Sequence, residues 1–364
     1  MNSSNKMHPP KFVSMQIDGF APSWAGPHPF EDGFAFGSED GMVAFTDEAG
    51  KTTQETRIMA ASREAINGIA GMDNFLAVTT RQEVTVFALQ VHEGEKTEVT
   101  TFRRGAHGIL ASSGNQFIAP LGHGGVMIAK PSEGLVESMR VYPLGDGNLN
   151  VYEVHEMPSH GTHDAFIAAC RSNGVGLILS STEKQELAFE TCNLGGIDVV
   201  DVVPVGTAAH PHAVVAAGMD GEVVLFRDIV SHERPILLKY DEFAGKTYRI
   251  LSSHGHLFVL TSKAVYVLGN LANRVSDRIL GEHGAPVMTI PMEAIDANMC
   301  GTRWLLAVMP DEVRRYDVQQ IHDMITEFTT NDTGAATSLP HSQLNFAPWQ
   351  IAKSHPLPLQ TVAS

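Results

Sequence analysis

The stretch GMDGEVVLFRD, residues 218–228, predicts one tight hairpin of a small β-sheet. Asp220-Gly221 supplies two residues that tolerate a positive φ angle, as a two-residue hairpin turn requires. The residues after the turn are strand-forming, and they end on an aromatic side chain followed by charged residues. The fold prediction depends on whether this stretch occurs once or is one copy of a repeated unit.

Seven segments of the chain share the same pattern of an apolar run, a short turn and a second strand that carries a valine near its start. Those valines are Val43, Val84, Val126, Val175, Val223, Val265 and Val313. Successive valines are 41 to 49 residues apart. A sheet unit of this length cannot bury both of its faces alone, but such units bury them by packing face to face in a ring.

Each hairpin is flanked by further strand-like runs, which brings the predicted count to four strands per unit. Runs upstream of the hairpins are predicted as innermost strands and occur at 65–71, 107–112, 198–205, 248–253 and 293–298. Runs downstream are predicted as outer strands and occur at 98–104, 137–144 and 186–191. Many short strands with turn residues between them are typical of an all-β architecture.

Two hairpins contain the pattern Asp-Gly-x-Val followed by an aspartate, at residues 40–47 and 220–228. A weakened aromatic-aspartate ending also occurs, as Tyr316-Asp317 and Phe226-Arg227-Asp228. With its period and these motifs, the sequence over residues 11–317 resembles the WD40-like seven-bladed β-propellers. The resemblance implies an all-β, seven-bladed β-propeller over residues 1–317.

The ends of the repeat region predict how the ring closes. After the seventh hairpin, residues 318–328 place Val318, Ile321, Met324, Ile325 and Phe328 on one face of an amphipathic helix, and no fourth strand follows. A strand-like run occurs instead at residues 11–17, KFVSMQI. We predict that this N-terminal strand is the outer strand of the last blade, which protects an exposed sheet edge.

Residues 329–364 differ in composition from the repeats. Their first part is rich in small polar residues, which predicts a flexible linker. The second part has Phe346, Trp349 and Ile351 set among prolines. This segment either packs back on the side of the propeller or docks on another subunit, and the sequence favours neither.

Composition limits the class of partner. The formal net charge is −16, and only two arginine doublets suggest local basic patches. A nucleic-acid-binding protein needs a concentrated basic surface, so we expect no direct nucleic-acid contact and no membrane binding. Three cysteines without metal-ligand spacing indicate a reducing compartment, and Cys170 lies in an apolar run that predicts a buried thiol. The start has no apolar signal-peptide core, so we expect a cytoplasmic protein, or a nuclear one in a eukaryote.

Candidate chemistry is sparse, and no catalytic motif or cofactor is predicted. Histidine is a common metal ligand, and the metal-site alternative comprises His160, His163, Asp164, His210 and His212. These residues fall in turns between first and second strands, where polar loop side chains collect, so loop histidines are the favoured interpretation. Candidate inner-strand acids are Asp198, Asp201, Glu293 and Asp296. Strict alternation directs the two acids of each strand to opposite faces, and pairs across blades stay open.

Two functions follow from these observations. The first is a non-catalytic protein–protein interaction scaffold or complex subunit. It would bind one or more proteins through the helix and the tail, with the candidate residues Ile321, Met324, Ile325, Phe328, Phe346, Trp349 and Ile351. The alternative is an enzyme at the channel mouth, of metal-assisted hydrolase, lactonase or lyase type. Three or more His, Asp, Glu or Asn side chains converging in the channel would favour the alternative.

Overall fold

A computed structural model describes most of the chain, and its strands form seven separate antiparallel sheets. The described residues are 9–17, 20–27, 33–52, 58–59, 63–89, 96–132, 135–144, 149–181, 186–240, 243–269, 287–331 and 350–354. Six of the sheets have four strands, and the remaining one has five. Each sheet is one blade of a seven-bladed β-propeller.

The first three blades and the N-terminal strand contain thirteen strands. In chain order they are β1 (Phe12–Met15), β2 (Pro22–Pro27), β3 (Gly33–Ser38), β4 (Met42–Asp47), β5 (Ile58–Met59), β6 (Gly68–Met72), β7 (Phe75–Thr79), β8 (Val84–Leu89), β9 (Lys96–Phe102), β10 (Leu110–Ser112), β11 (Gln116–Pro120), β12 (Val126–Ser132) and β13 (Leu135–Tyr142). Blade one is β2–β5, blade two is β6–β9 and blade three is β10–β13.

The remaining blades contain fifteen strands before the helix and one after it. They are β14 (Glu153–His160), β15 (His163–Ala169), β16 (Val175–Ser181), β17 (Glu186–Cys192), β18 (Val199–Pro204), β19 (Val214–Gly218), β20 (Glu222–Phe226), β21 (Ile236–Lys239), β22 (Thr247–Ser253), β23 (His256–Thr261), β24 (Ala264–Leu268), β25 (Met288–Pro291), β26 (Asp296–Cys300), β27 (Trp304–Val308), β28 (Val313–Asp317), the helix α1 (Val318–Asn331) and β29 (Gln350–Ser354). Blade four is β14–β17 with β29, blade five is β18–β21, blade six is β22–β25 and blade seven is β26–β28 with β1.

The predicted repeat is confirmed by the strand order. All seven valines that set the period lie in the third strand of a blade, and each is at most 2% exposed. The first strands of neighbouring blades contact one another around the ring, and β26 of blade seven contacts β2 of blade one. The ring is therefore closed, and its apolar side chains are buried between adjacent blades.

The hairpin at residues 218–228 forms the turn between β19 and β20, as predicted. Gly221 in this turn has a φ angle of 86°, a conformation that residues with a side chain rarely adopt. A Cβ atom there would lie 2.8 Å from the carbonyl oxygen of Tyr240 in the segment after the outer strand. Gly125 holds the same place in blade three, where a Cβ would lie 2.1 Å from the Tyr142 oxygen. Glycine recurs at this turn position because the backbone of the same blade passes so close that a side chain would collide with it.

The predicted ring closure by the N-terminal strand is also confirmed. Strand β1 pairs antiparallel with β28, with Phe12 opposite Tyr316 and Met15 opposite Val313. The Met15 side chain is 2% exposed and belongs to a core cluster that includes Phe34 of blade one and Val308 of blade seven. Met15 therefore packs across the junction where the two ends of the ring meet.

Helix α1 covers the predicted amphipathic segment and continues to Asn331. Its start is capped by Asp317, whose Oδ1 accepts a hydrogen bond of 2.9 Å from the backbone N–H of Gln319. Val318, Ile321 and Ile325 are buried in a cluster with side chains of blades six and seven. The apolar face of the helix is thus occupied by the propeller of the same chain. No helix in the described residues is long and apolar enough to cross a membrane.

The C-terminal segment adds a fifth strand to blade four. Strand β29 pairs antiparallel with β17, with Ile351 opposite Glu190. Lys353 Nζ lies 2.9 Å from Glu186 Oε1, and the Ser354 hydroxyl donates to the backbone oxygen of Pro143 in blade three. Of the two alternatives for the tail, residues 350–354 pack on the side of the propeller. Phe346 and Trp349 lie outside the described residues.

We predict that Met15→Ala destabilises the fold by about 2–5 kcal/mol, because it removes a buried side chain from the closing junction. The matched control is Val13→Ala in the same strand, since Val13 is 48% exposed. The control should change the free energy of unfolding by less than about 0.5 kcal/mol. Urea-induced unfolding of both variants measures the difference, and equal effects would show that β1 does not close the ring through Met15.

Candidate functional site

The centre of the ring contains a cavity of about 260 Å³ that all seven blades line. Its wall carries charged side chains on blades four to six and only uncharged residues on blades one to three and on blade seven. The lining residues are Trp24, Asn67, Gly68, Ile69, Gly108, Ile109, Leu110, Glu153, Val154, His155, Asp201, Arg249, Leu251, Asn298 and Met299. A concave site with a few convergent polar groups among apolar ones is the usual form of a small-ligand site.

Irregularities in the first strands help to place these side chains. The pairing register shifts between Pro22 and Trp24 in β2, between Val199 and Asp201 in β18, and between Thr247 and Arg249 in β22. A bulge bends a strand and changes the direction of the side chains beside it. In all three strands, the residue that follows the shift lines the cavity.

Arg249 connects three blades through two ion pairs. Its Nη2 atom lies 3.4 Å from Oε1 of Glu153 in blade four, and its Nη1 atom lies 3.4 Å from Oδ1 of Asp296 in blade seven. Burial acts to lower the pKa of Arg249, but the carboxylates of Asp296 and Glu153 raise it above its ordinary value. The guanidinium group therefore stays charged inside the ring.

His155 and Asp201 form a second pair across blades four and five. His155 Nε2 lies 3.3 Å from Asp201 Oδ1. Asp201 is only 3% exposed, and its two oxygens accept backbone hydrogen bonds of 2.8 Å from Val202 and 2.9 Å from Ile250. Burial opposes the charged form of His155, yet the hydrogen bond and the charge of Asp201 raise the pKa of His155 above its ordinary value. Two backbone hydrogen bonds thus hold Asp201 in place, and its carboxylate favours an imidazolium beside it.

The carboxyl group of Glu153 titrates near neutral pH. Burial is the largest effect on its carboxyl group and raises its pKa, Arg249 lowers it, and Asp201 raises it further, to about 7. Glu153 therefore exchanges a proton near neutral pH, which is a property of many functional carboxylates. The cavity can therefore hold charge and exchange a proton. Glu153 and His155, two residues apart on the inner strand of blade four, are the groups that can do so.

Part of this cluster was predictable from the sequence. Asp201 and Asp296 were predicted as inner-strand acids, and both take part in charge pairs across blades. Glu293 instead pairs with Lys263 at the surface, where the Glu293 side chain is 69% exposed. Glu153, His155 and Arg249 were missed. Arg249 lies within a predicted inner strand, so a charged residue there was the available signal.

The structure brings together only some of the residues of the alternative metal site. The rings of His160 and His212 lie 5.7 Å apart in an edge-to-face arrangement, and His163 is opposite His160 in the β14–β15 pairing. His210 and Asp164 complete the predicted set. Within the described ranges, no group of three or more His, Cys, Asp or Glu side chains is arranged to hold a metal ion. The predicted buried thiol of Cys170 is confirmed, and burial raises its pKa to about 12.

The predicted partner-binding residues lie on two elements. Ile321 and Ile325 are buried and Met324 is partly buried against the propeller, so a partner could reach this face only if α1 left the ring. Ile351 lies in β29, while the side chain of Phe328 and the whole of Phe346 and Trp349 fall outside the described positions. Partner binding by these residues stays a prediction.

Comparison with known proteins agrees with the class of fold seen here. The chain has a seven-bladed β-propeller fold. It is similar to the solved β-propeller domain of Cps50 (Swd1) from Myceliophteria thermophila, with a TM-score of 0.59 and 14% sequence identity over 85% of this chain and 99% of that chain. No protein-family model and no curated protein matches the sequence. Since propellers carry many unrelated functions, the likeness defines the fold alone.

We predict that Glu153→Gln makes the stability of the protein less dependent on pH. The pKa of Glu153 is raised from its ordinary 4.5 to about 7 on folding, so protonation stabilises the folded state. This stabilisation is complete below about pH 4.5 and is lost as the pH rises through about 7. Between pH 5 and pH 8, the wild-type unfolding midpoint in urea should therefore fall more steeply than that of Glu153→Gln.

The exposed carboxylate variant Glu293→Gln is the control for this measurement. It should keep the wild-type dependence, because Glu293 lies outside the cavity. Identical pH dependence in wild type and Glu153→Gln would contradict the assignment of Glu153 as the titrating group.

Proposed function

We propose that the chain is a non-catalytic protein–protein interaction scaffold that acts as a subunit of a multiprotein complex. The observation that most supports this function is the addition of β29 to β17 at the outer edge of blade four. Pairing of an extended segment with a sheet edge is a common mode of peptide recognition, in which main-chain hydrogen bonds supply affinity. The side of this ring therefore accepts an extended segment, here from its own chain.

The free edge of β29 is the surface that we assign to the partner. Within the described part of the chain, β29 is the last strand of its sheet and pairs on one edge only. The aromatic residues Phe346 and Trp349 precede it directly. Aromatic side chains are enriched among the residues that dominate interface energies. Packing on the propeller and docking on a partner are therefore compatible: residues 350–354 pack on blade four, and we propose that the aromatic residues before them contact the partner.

We predict that Phe346→Ala/Trp349→Ala reduces the recovery of co-purifying partner proteins by at least about tenfold, because truncating an aromatic anchor typically costs 2 kcal/mol or more. The full chain is purified by affinity from its native host, and bound proteins are quantified by mass spectrometry. Light scattering of the purified material should give a mass well above that of the single chain.

Ile295→Ala is the matched control, since Ile295 is an apolar side chain that is 47% exposed away from β29. It should retain the partners. A single chain without stoichiometric partners in the wild-type preparation would reject the scaffold function. Equal loss in both variants would reject the tail as the docking element.

The charged cavity favours a second candidate function, an enzyme with its site in the channel. Glu153, His155 and Asp201 converge there with the amide of Asn298, which is the pattern expected for this alternative. Glu153 would be the proton-transferring group, because its pKa of about 7 suits general acid–base catalysis at neutral pH. Turnover of a panel of lactones and esters, lost in Glu153→Gln and retained in Glu293→Gln, would support this candidate, whereas rates equal to the uncatalysed background would reject it.

A further inference from the structure

The charges of the cluster around Arg249 do not balance when Glu153 is ionised. Three carboxylates take part: Glu153 and Asp201 line the cavity, and Asp296 pairs with Arg249 from blade seven. The two basic groups are His155 and Arg249. With Glu153 ionised and His155 protonated, this cluster has one more negative charge than positive. Blades one to three add only uncharged groups to the described wall.

Lining the centre of the ring with buried charged groups costs free energy. Replacing a buried ion network with apolar side chains is often neutral or stabilising, so the network is weak support for stability alone. Apolar and amide side chains line the cavity on blades one to three, which shows that the fold does not need charges there. An excess carboxylate inside a ring is instead suited to a ligand that brings a positive charge.

The space beside Glu153 is open to such a ligand. Gly108 of the segment before β10 faces this carboxylate, and a Cβ atom at Gly108 would lie 3.2 Å from Glu153 Oε2. Glu153 Oε1 is directed to Arg249, which leaves Oε2 on the side of the glycine. Ile69, Leu110 and Leu251 supply apolar wall around the same cavity.

We propose that the central cavity binds a small organic cation, an ammonium or guanidinium group, with its charge at Glu153 and its carbon chain on the apolar wall. The cavity of about 260 Å³ lies just below the usual range for drug-sized ligands, so it fits a group the size of one long side chain. The cation comes either from a free amine or from a lysine or arginine side chain of a partner protein. The cation site itself does not rest on the scaffold function, because free cations test it on the purified chain alone.

Binding should be linked to release of a proton. The groups that face Glu153 are Arg249 from β22, Asp201 from β18, Asp296 from β26 and His155 on its own strand. A further positive charge at the carboxylate lowers the pKa of Glu153 from about 7 and favours the ionised form. The affinity for a cation should therefore rise about tenfold between pH 6 and pH 8.

Isothermal titration calorimetry of the full chain tests this with four-carbon probes that differ in charge. Butylammonium and butylguanidinium should bind saturably, with a dissociation constant near or below about 1 mM, and butyrate should not. Titrations in phosphate and in HEPES buffer, neither of which contains a primary ammonium group, give the number of protons released. Blocked tripeptides, acetyl-Gly-Lys-Gly-amide and acetyl-Gly-Arg-Gly-amide, distinguish the two sources: tighter binding of the peptides indicates a partner side chain, and tighter binding of the free cations indicates a small molecule.

Two variants separate the proposal from a purely structural role of the network. Glu153→Gln removes the charge and should weaken cation binding at least about tenfold and reduce its pH dependence. Gly108→Ala keeps every charge and should weaken binding by filling the space beside Oε2, and circular dichroism checks that it folds. Glu293→Gln, at the surface, should bind as wild type does. Absence of saturable cation binding, preferential binding of butyrate, proton uptake instead of release, or wild-type affinity in both cavity variants would overturn the proposal.

Discussion

The antiparallel pairing of β1 with β28 is the interaction on which the rest of the ring depends. It joins the two ends of the propeller, so blade seven draws strands from residues 12–15 and 296–317. Without it, blade seven would expose the edge of β28, and β2 and β26 would lose the closure that brings them into contact. Met15 packs between side chains of blades one and seven, so the closing pair is also a core contact.

Closure has a chemical consequence at the centre. A closed ring of seven sheets places seven first strands side by side, and residues far apart in the sequence become neighbours around one small cavity. Arg249 contacts Glu153, which is 96 residues away, and His155 contacts Asp201, which is 46 residues away. Because the charged lining residues come only from blades four to six, the field in the cavity is asymmetric, with an uncharged wall on blades one to three. The asymmetry is a property of the whole ring, and no single blade contains it.

The fold was predictable from the sequence because burial imposes a local pattern. Val223 and the six equivalent valines are buried on a third strand, and a turn residue precedes each, so the period is visible without an alignment. The segment after residue 317 has the pattern of a helix and not of a fourth strand, and this local pattern predicted closure by the N-terminal strand.

The cavity was not predictable from local patterns. Bulges in β18 and β22 break the strict alternation of side chains beside Asp201 and Arg249, and the partners of those residues are set by closure, not by spacing. The pairing of β29 was missed because QIAKS has no distinctive pattern.

The two surfaces assigned to function lie on opposite edges of the same sheet. Blade four carries Glu153 and His155 on β14, its innermost strand, and it carries β29 at its outer edge. Four strand steps separate β14 from β29, or about 19 Å at the usual spacing of neighbouring strands. A cation in the cavity and a segment paired with β29 therefore make no direct contact with each other. Any coupling between them would have to pass through the β14–β17 sheet, whose inner residues are tightly packed between blades three and five. Coupling between two sites requires an element with two states whose equilibrium both sites bias. A rigid sheet with one arrangement therefore transmits little coupling free energy. The geometry therefore favours two independent sites on one blade, so that loss of one should leave the other intact.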